Sequence, residues 1–444
     1  MSRPGKRRGI SVGTILMLVL TIAVTGCTVG LLRVLLGNTG IEFDPSGMLE
    51  ALNLGQVLPA LSLSDIPLNG GTAQPTNAPI PTAELSTLPP ATVQPTQAPT
   101  AVPVSGGTFT LTLGGSINMD DGVRQSGYYS DAKKYDFSEA LSLLSGEMRS
   151  DLTMVTLENI VVPGAKVSSL NTPGDIMKAL ASVGVDVVAL GFSQAYDQGL
   201  SGVTSTIEAA RDARLTTLGA YGSAEDAADI RIVTLQNVKV ALLHYTESLS
   251  TRGRSAVKKD GNTYAVPLLE IEAVQADIVA AKARGAEVIV VSVDWTSANN
   301  KATPTKTQLS LAQQIADAGA DIIVGTGTRV AQPVAWLTAG NRRVLCAYSL
   351  GSLLNDGRKD GNVASLLLQL TITADGAGHV TFDRVAYTPT YIWHYKLDGK
   401  DYYRVVASDQ PAPMGMGDDQ ARYKDKAFAN IKKTLGDDTP LVVR

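Results

Sequence analysis

The chain has 444 residues, 44% of them apolar and 18% charged, a balance that supports a large buried core and rules out a wholly disordered polypeptide. Net charge is −4, but five of the 38 basic side chains (Arg3, Lys6, Arg7, Arg8, Arg33) fall in residues 1–36 with no acidic residue among them, so the rest of the chain stands near −9. That excludes a broad nucleic-acid-binding face, which needs clustered Lys and Arg to displace counterions, and leaves only a local patch for gripping any other polyanion.

Residues 1–9 form a basic tail, and residues 10–32 form an uncharged, mostly apolar run. A helix of that length reaches about 35 Å, enough to cross a hydrocarbon core of about 30 Å. The reading is a single-pass transmembrane anchor over 10–36, with Lys6, Arg7 and Arg8 kept cytoplasmic and the rest of the chain outside the cell membrane. Val24-Thr25-Gly26-Cys27 also resembles a bacterial lipobox, in which the cysteine is lipidated after cleavage, although apolar character continues past it to Leu36. Either route tethers the protein to the membrane. The second cysteine, Cys346, lies in a predicted strand, so no disulfide framework is implied.

Residues 37–106 read as a stalk and a Pro/Thr-rich linker. Residues 75–103 hold eight prolines and one charge, Glu84, which favours extended polyproline II. At about 3.1 Å per residue this stretch spans on the order of 90 Å.

From Gly107 the pattern becomes α/β. Thr108 to Leu113 alternate polar and apolar as a half-buried strand does, and run into Gly114-Gly115-Ser116. One unit then recurs three times: a helix ends at a glycine, an acid follows, and a continuous apolar run begins. The units centre on Gly184 with Asp186, Gly285 with Glu287, and Gly319 with Asp321. The glycine suits a left-handed helix cap, and the Val/Ile run suits a strand covered on both faces. Helices are predicted over 173–183, 200–214, 267–284 and 304–319, three of them with proline near the start. Strands are predicted over 334–337, 343–348, 364–373 and 379–387.

Six stretches over residues 107–391 together resemble the CapA family, the poly-γ-glutamate capsule synthesis proteins. In that family the first strand ends in Gly-Asp, and Ser116 stands at the Asp. The family's Asp-x-x-x-x-Asn-Leu-Glu appears from Asp151 to Glu158, with Thr156 for the Asn. Its Ala-Asn-Asn-His-x-x-Asp-x-Gly appears from Gly191 to Gly199, with Ser193 and Gln194 for Asn-His while Asp197 is kept. Its His-Trp-Gly appears as Asp294-Trp295-Thr296, followed by Pro304 and Gln308. Its Gly-His-His-Pro-His-Val and Tyr-Ser-Leu-Gly-Asn-Phe appear from Gly325 and from Tyr348, with Thr326, Gly327 and Arg329 at the histidines and Ser352 at the Asn.

The resemblance implies a four-layer αββα metallophosphatase-like sandwich over 107–395, with a C-terminal extension over 396–444. It also implies a setting in capsule or other cell-envelope polymer synthesis, with an envelope polymer or capsule-synthesis proteins as partners. A dinuclear hydrolase needs converging carboxylate, imidazole and amide ligands. Hydroxyls are weak ligands, glycine supplies none, and Arg329 adds a fixed positive charge. The expectation is therefore no metal cofactor, no assigned catalytic residue, and a binding or scaffolding cleft bordered by Ser116, Glu158, Gln194, Asp197, Asp294 and Arg329. Within it, Asp294 is expected to pair with Arg329. The alternative is a metal-dependent hydrolase or transferase with one hard cation on Glu158, Asp197 and Asp294. His244, ending an apolar strand, is the one candidate general base if it lines the cleft, although a strand-end histidine is more often simply hydrogen-bonded, and Asp120 and Asp121 read as a solvated turn.

Overall fold

The computed structural model describes residues 106–298, 300–357 and 361–443; the expected anchor, lipobox and linker lie outside them. Among the described residues no helix is long and apolar enough to cross a membrane.

The strands in the first half are β1 (Gly107–Ile117), β2 (Tyr128–Tyr129), β3 (Lys134–Tyr135), β4 (Leu152–Leu157), β5 (Val187–Ala189), β6 (Thr216–Leu218), β7 (Arg231–Leu235) and β8 (Val238–Thr246). Those that follow are β9 (Val288–Asp294), β10 (Ile322–Thr326), β11 (Val334–Ala339), β12 (Arg342–Ala347), β13 (Ser352–Leu354), β14 (Ala364–Ala374), β15 (Val380–Leu397), β16 (Lys400–Ala407) and β17 (Val442–Val443). One sheet runs β16-β15-β14-β1-β4-β5-β6, with β13 also on β1 and β17 on β15. The other runs β11-β12-β10-β9-β8-β7, while β2 and β3 form a separate hairpin. Strands β1, β4, β5 and β6 are parallel neighbours, as are β8, β9, β10 and β12.

Side-chain alternation makes the layers. Val240, Leu242, Val288, Val290, Ile322 and Val324 of the second sheet meet Phe109, Leu111, Leu113, Leu152, Met154 and Val187 of the first in one core. The intervening residues Ala241, Leu243, Ile289, Val291 and Ile323 face away, against Val274, Ile278, Ala312 and Ile315. On the far side of the first sheet, Val155, Leu157 and Val188 pack with Ile176, Leu180, Val203 and Ile207. The covering helices are α1 (Asp175–Ser182) and α2 (Gly199–Asp212) on one side, α4 (Ile271–Ala283) and α5 (Lys306–Ala318) on the other. The order is helices, sheet, sheet, helices, as expected. Between them in sequence lies α3 (Thr251–Asp260), which sequence reasoning did not anticipate.

The recurring helix–glycine–acid–strand unit has a common structural cause. Gly184, Gly285 and Gly319 all have positive φ (100°, 87° and 119°), turning the chain out of its helix. The acid that follows then accepts a backbone N–H from the preceding parallel strand. Asp186 takes that of Thr153 at 2.8 Å, Asp321 that of Ile289 at 2.9 Å, and Glu287 that of Lys239 at 3.2 Å. Each acid fastens the start of its strand to its neighbour and satisfies a donor that the ladder leaves over.

The expected boundary at residue 395 falls inside β15 and is corrected. Residues beyond it supply β16 and α6 (Asp418–Leu435), whose Ala427, Ile431 and Leu435 join Val406 in the core between the sheets. The nine-stranded sheet is wider than its partner, and α6 packs on β15 and β14.

Candidate functional site

Parallel strands end where their connections diverge, and the space beyond their carboxyl ends is the usual place for a ligand. Here the carboxyl ends of β1, β4, β5, β9 and β10 surround a cleft of about 320 Å³ lined by polar side chains, among them Asn118, Asp120, Glu158, Gln194, Asp294 and Arg329. Of the six residues expected to border it, Glu158, Gln194, Asp294 and Arg329 do so directly.

Ser116 lies beneath the surface, fully buried, and works through Asn118. Its hydroxyl meets the Asn118 Oδ1 and the Ser352 hydroxyl, each at 3.1 Å, and Ser352 donates to the same Oδ1 at 2.7 Å. Asn118 Nδ2 then donates to Glu158 Oε2 at 2.7 Å. Ser116 and Ser352 thus orient an amide that orients a carboxylate. Glu158 Oε1 is out of solvent contact and has no hydrogen-bond partner. Burial pushes the Glu158 carboxyl above its ordinary pKa, while Ser116, Asn118 and the Arg329 charge oppose that rise.

Asp294 is the last residue of β9 and buried on the inner face. It pairs in register with Thr246 of β8 and Thr326 of β10, whose buried hydroxyls have no partner. Burial, then repulsion from Glu158, holds its carboxyl well above the ordinary carboxylate range, while the Ser193 backbone N–H works against this. Gly327, at φ 84°, brings its backbone against this group, for a Cβ there would lie 2.4 Å from Asp294 Oδ1.

Three expectations are corrected. Arg329 pairs not with Asp294 but with Asp120, at 3.3 Å, because Asp294 lies on the buried floor whereas Asp120 and Arg329 meet at the half-exposed rim. Arg329 holds that position with φ 61°, an uncommon left-handed backbone for a non-glycine residue. Asp120 is therefore part of the cleft and not a solvated turn; Asp121, mostly exposed, pairs with Arg124.

Asp197 does not line the cleft. Its carboxylate accepts from Ser250, the residue capping the start of α3, so the three carboxylates proposed to share one cation do not converge. His244 does not reach the cleft either. Its Nε2 donates to the Gly191 carbonyl at 2.8 Å and its Nδ1 faces the Ser292 hydroxyl at 3.0 Å, a clamp from β8 to the loop after β5. Burial holds its pKa down at about 4, so the ring is neutral and committed to structure.

Sequence reasoning missed Asn118, Asn159 and Thr296. Asn118 carried a legible signal, an amide two residues beyond Ser116 at a strand end. Asn159 ties the loops together, accepting the Met119 N–H at 2.7 Å and donating to the Ser169 carbonyl at 2.8 Å.

A two-cation centre needs several anionic or imidazole donors aimed at one place. The floor offers Glu158 and Asp294, the remaining former ligand positions offer hydroxyls, an amide and a guanidinium, and Asp120 is engaged with Arg329. Among the described residues no group of three or more His, Cys, Asp or Glu is placed to hold a metal ion. This donor set does not fit a dinuclear centre.

The family model for the bacterial capsule synthesis protein PGA_cap matches residues 110–357. The chain is 27% identical over 208 residues to the capsule biosynthesis protein CapA of Bacillus anthracis, covering 47% of this chain and 49% of that protein. It is 29% identical over 244 residues to the PGA biosynthesis protein CapA of Bacillus subtilis, covering 54% and 62%. The matched region thus spans about half to three fifths of those relatives. Among solved structures, the calcineurin-like phosphoesterase YfkN from Bacillus subtilis is similar at 12% identity and a TM-score of 0.41, covering 73% of this chain and 98% of that one. The match over residues 110–357 takes in more than half of the sequence and every cleft residue described above: the chain belongs to the bacterial capsule synthesis protein family PGA_cap.

Proposed function

We propose that this protein is a membrane-tethered, extracytoplasmic, non-catalytic member of its family that binds a capsule or related cell-envelope polymer, poly-γ-glutamate being the first candidate. The observation that carries the reading is the cleft itself. Its loops are held in place by a hydrogen-bonded scaffold running through Ser116, Ser352 and Asn118, while hydroxyls and Arg329 stand where metal donors would be needed. A site that has kept its shape and lost its ligand chemistry is suited to holding a molecule and not to activating water on two cations. Arg329 offers a polymer carboxylate a planar cationic fork. The uncharged run over 10–32, preceded by Lys6, Arg7 and Arg8, supports the tether and its orientation.

The test uses the full-length protein. Elemental analysis is expected to find no stoichiometric metal, and phosphoester substrates to remain uncleaved in added Mg²⁺, Mn²⁺ or Zn²⁺. Poly-γ-glutamate is expected to bind, and Arg329→Ala to weaken that binding by roughly tenfold or more, the loss of a charge-assisted contact. Stoichiometric metal that disappears in Asp294→Ala, together with hydrolysis, overturns the non-catalytic reading.

A further inference from the structure

The floor of the cleft gathers two carboxyl groups, Glu158 and Asp294, and no cationic side chain. Glu158 Oε1 has no hydrogen-bond partner, and Asp294 stands between two unpartnered buried hydroxyls, Thr246 and Thr326, on the same inner face. A hydroxyl can donate to a carboxylate, but two neighbouring carboxylates in a buried place call for positive charge as well as N–H or O–H donors. Asn118 supplies one N–H to Glu158, and the Ser193 backbone supplies one to Asp294. The arginine at the rim does not fill this need, since its ion pair is with Asp120 through Nη1. Its other N–H groups belong to a fixed planar fork, and the residue lines the same cavity as Glu158 and Asp294.

A cationic donor is therefore missing at the floor, and an anionic acceptor is wanted at the rim. A primary ammonium has one positive charge and three donors, which is what the floor lacks. A carboxylate is what a guanidinium fork receives best. We propose that the cleft binds an α-amino-acid head group, its ammonium on Glu158 and Asp294 and its carboxylate on Arg329. This rests on the cleft being the binding site proposed above and names what that site recognises. In a glutamyl chain linked through its side-chain carboxyl, the residue with a free amine carries ammonium and carboxylate on one carbon. Interior residues carry the carboxylate and only a neutral amide. The cleft thereby distinguishes the amino end of such a chain from its interior.

Isothermal titration calorimetry on the unaltered full-length protein tests this through the ligand. Three probes are compared: a γ-linked glutamyl trimer with a free amino end, the same trimer N-acetylated, and free glutamate. The free-amine trimer is expected to bind, and acetylation to weaken it by roughly tenfold or more, the loss of a charged hydrogen bond at a buried site. Glu158→Gln is expected to abolish that discrimination, and Arg329→Ala to weaken both trimers alike. Glutamate binding as tightly as the trimer keeps the head-group assignment and makes the free amino acid the ligand. Acetylated and free trimers binding equally overturn the head-group assignment while leaving polymer binding in place. If neither the trimers nor the polymer binds, the polymer-binding reading fails with it.

Discussion

Asp294 and Glu158 approach one another from the ends of strands in opposite sheets, and both are pushed toward their protonated forms. The sign of the pH dependence follows. Below the ordinary carboxylate range both folded and unfolded chains hold these protons, and nothing is lost. As pH rises past that range the unfolded chain releases them while the folded chain retains them, so stability falls up to the folded-state pKa. Asp294→Asn removes that penalty. It is expected to stabilise the protein at pH 7 by about 1–3 kcal/mol, with the gain shrinking toward pH 4; chemical denaturation at several pH values measures it, and a destabilised variant at pH 7 contradicts the account. The family resemblance marked the positions where metal donors are expected and hydroxyls or Arg329 stand, but not which acid Arg329 would choose. That choice depends on depth, with Asp294 on the floor and Asp120 at the rim, and depth is not written in residue spacing.

The acids at the starts of β5, β9 and β10 show how an element is pinned by one side chain. The sequence displayed the glycine–acid–apolar pattern three times, yet gave no reason for the acid, because its partner is a backbone N–H 32 to 48 residues away. Their contributions should be graded. Asp321 also receives Arg342 at 3.2 Å, whereas Glu287 makes the longer backbone contact of 3.2 Å at a more exposed site. Asp321→Ala is expected to cost about 1–3 kcal/mol and Glu287→Ala under about 1 kcal/mol in urea denaturation. Equal losses would argue that the acids act through helix capping and not through the neighbouring strand. The four predicted helices were found within a few residues, three of them because a proline start and a glycine stop bracket them. Helix α3 carries no such apolar face, with Gly253 its sole fully buried residue, and so gave no periodic signal.

For the molecule as a whole, the two-sheet core was legible from continuous Val and Ile runs, but its C-terminal limit was not. Helix α6 buries only a narrow stripe, Lys424, Ala427, Ile431 and Leu435, within a charged sequence, so it reads as a solvated tail. Ending the chain after residue 395 removes β16 and this helix, and uncovers Val406 and its neighbours. That truncation is expected to abolish cooperative folding, seen as loss of near-ultraviolet circular dichroism and of a single thermal transition. A truncated chain melting like the parent would show instead that these residues are an appendage.

Strand β1 begins at Gly107 and delivers its last residues to the polar cavity, a path of 11 residues or about 35 Å. Its first residue, Gly107, lies at the other end of the strand, against the Gln236 carbonyl. A side chain substituted at Gly107 would therefore press on the turn between β7 and β8 and leave Glu158 and Asp294 untouched.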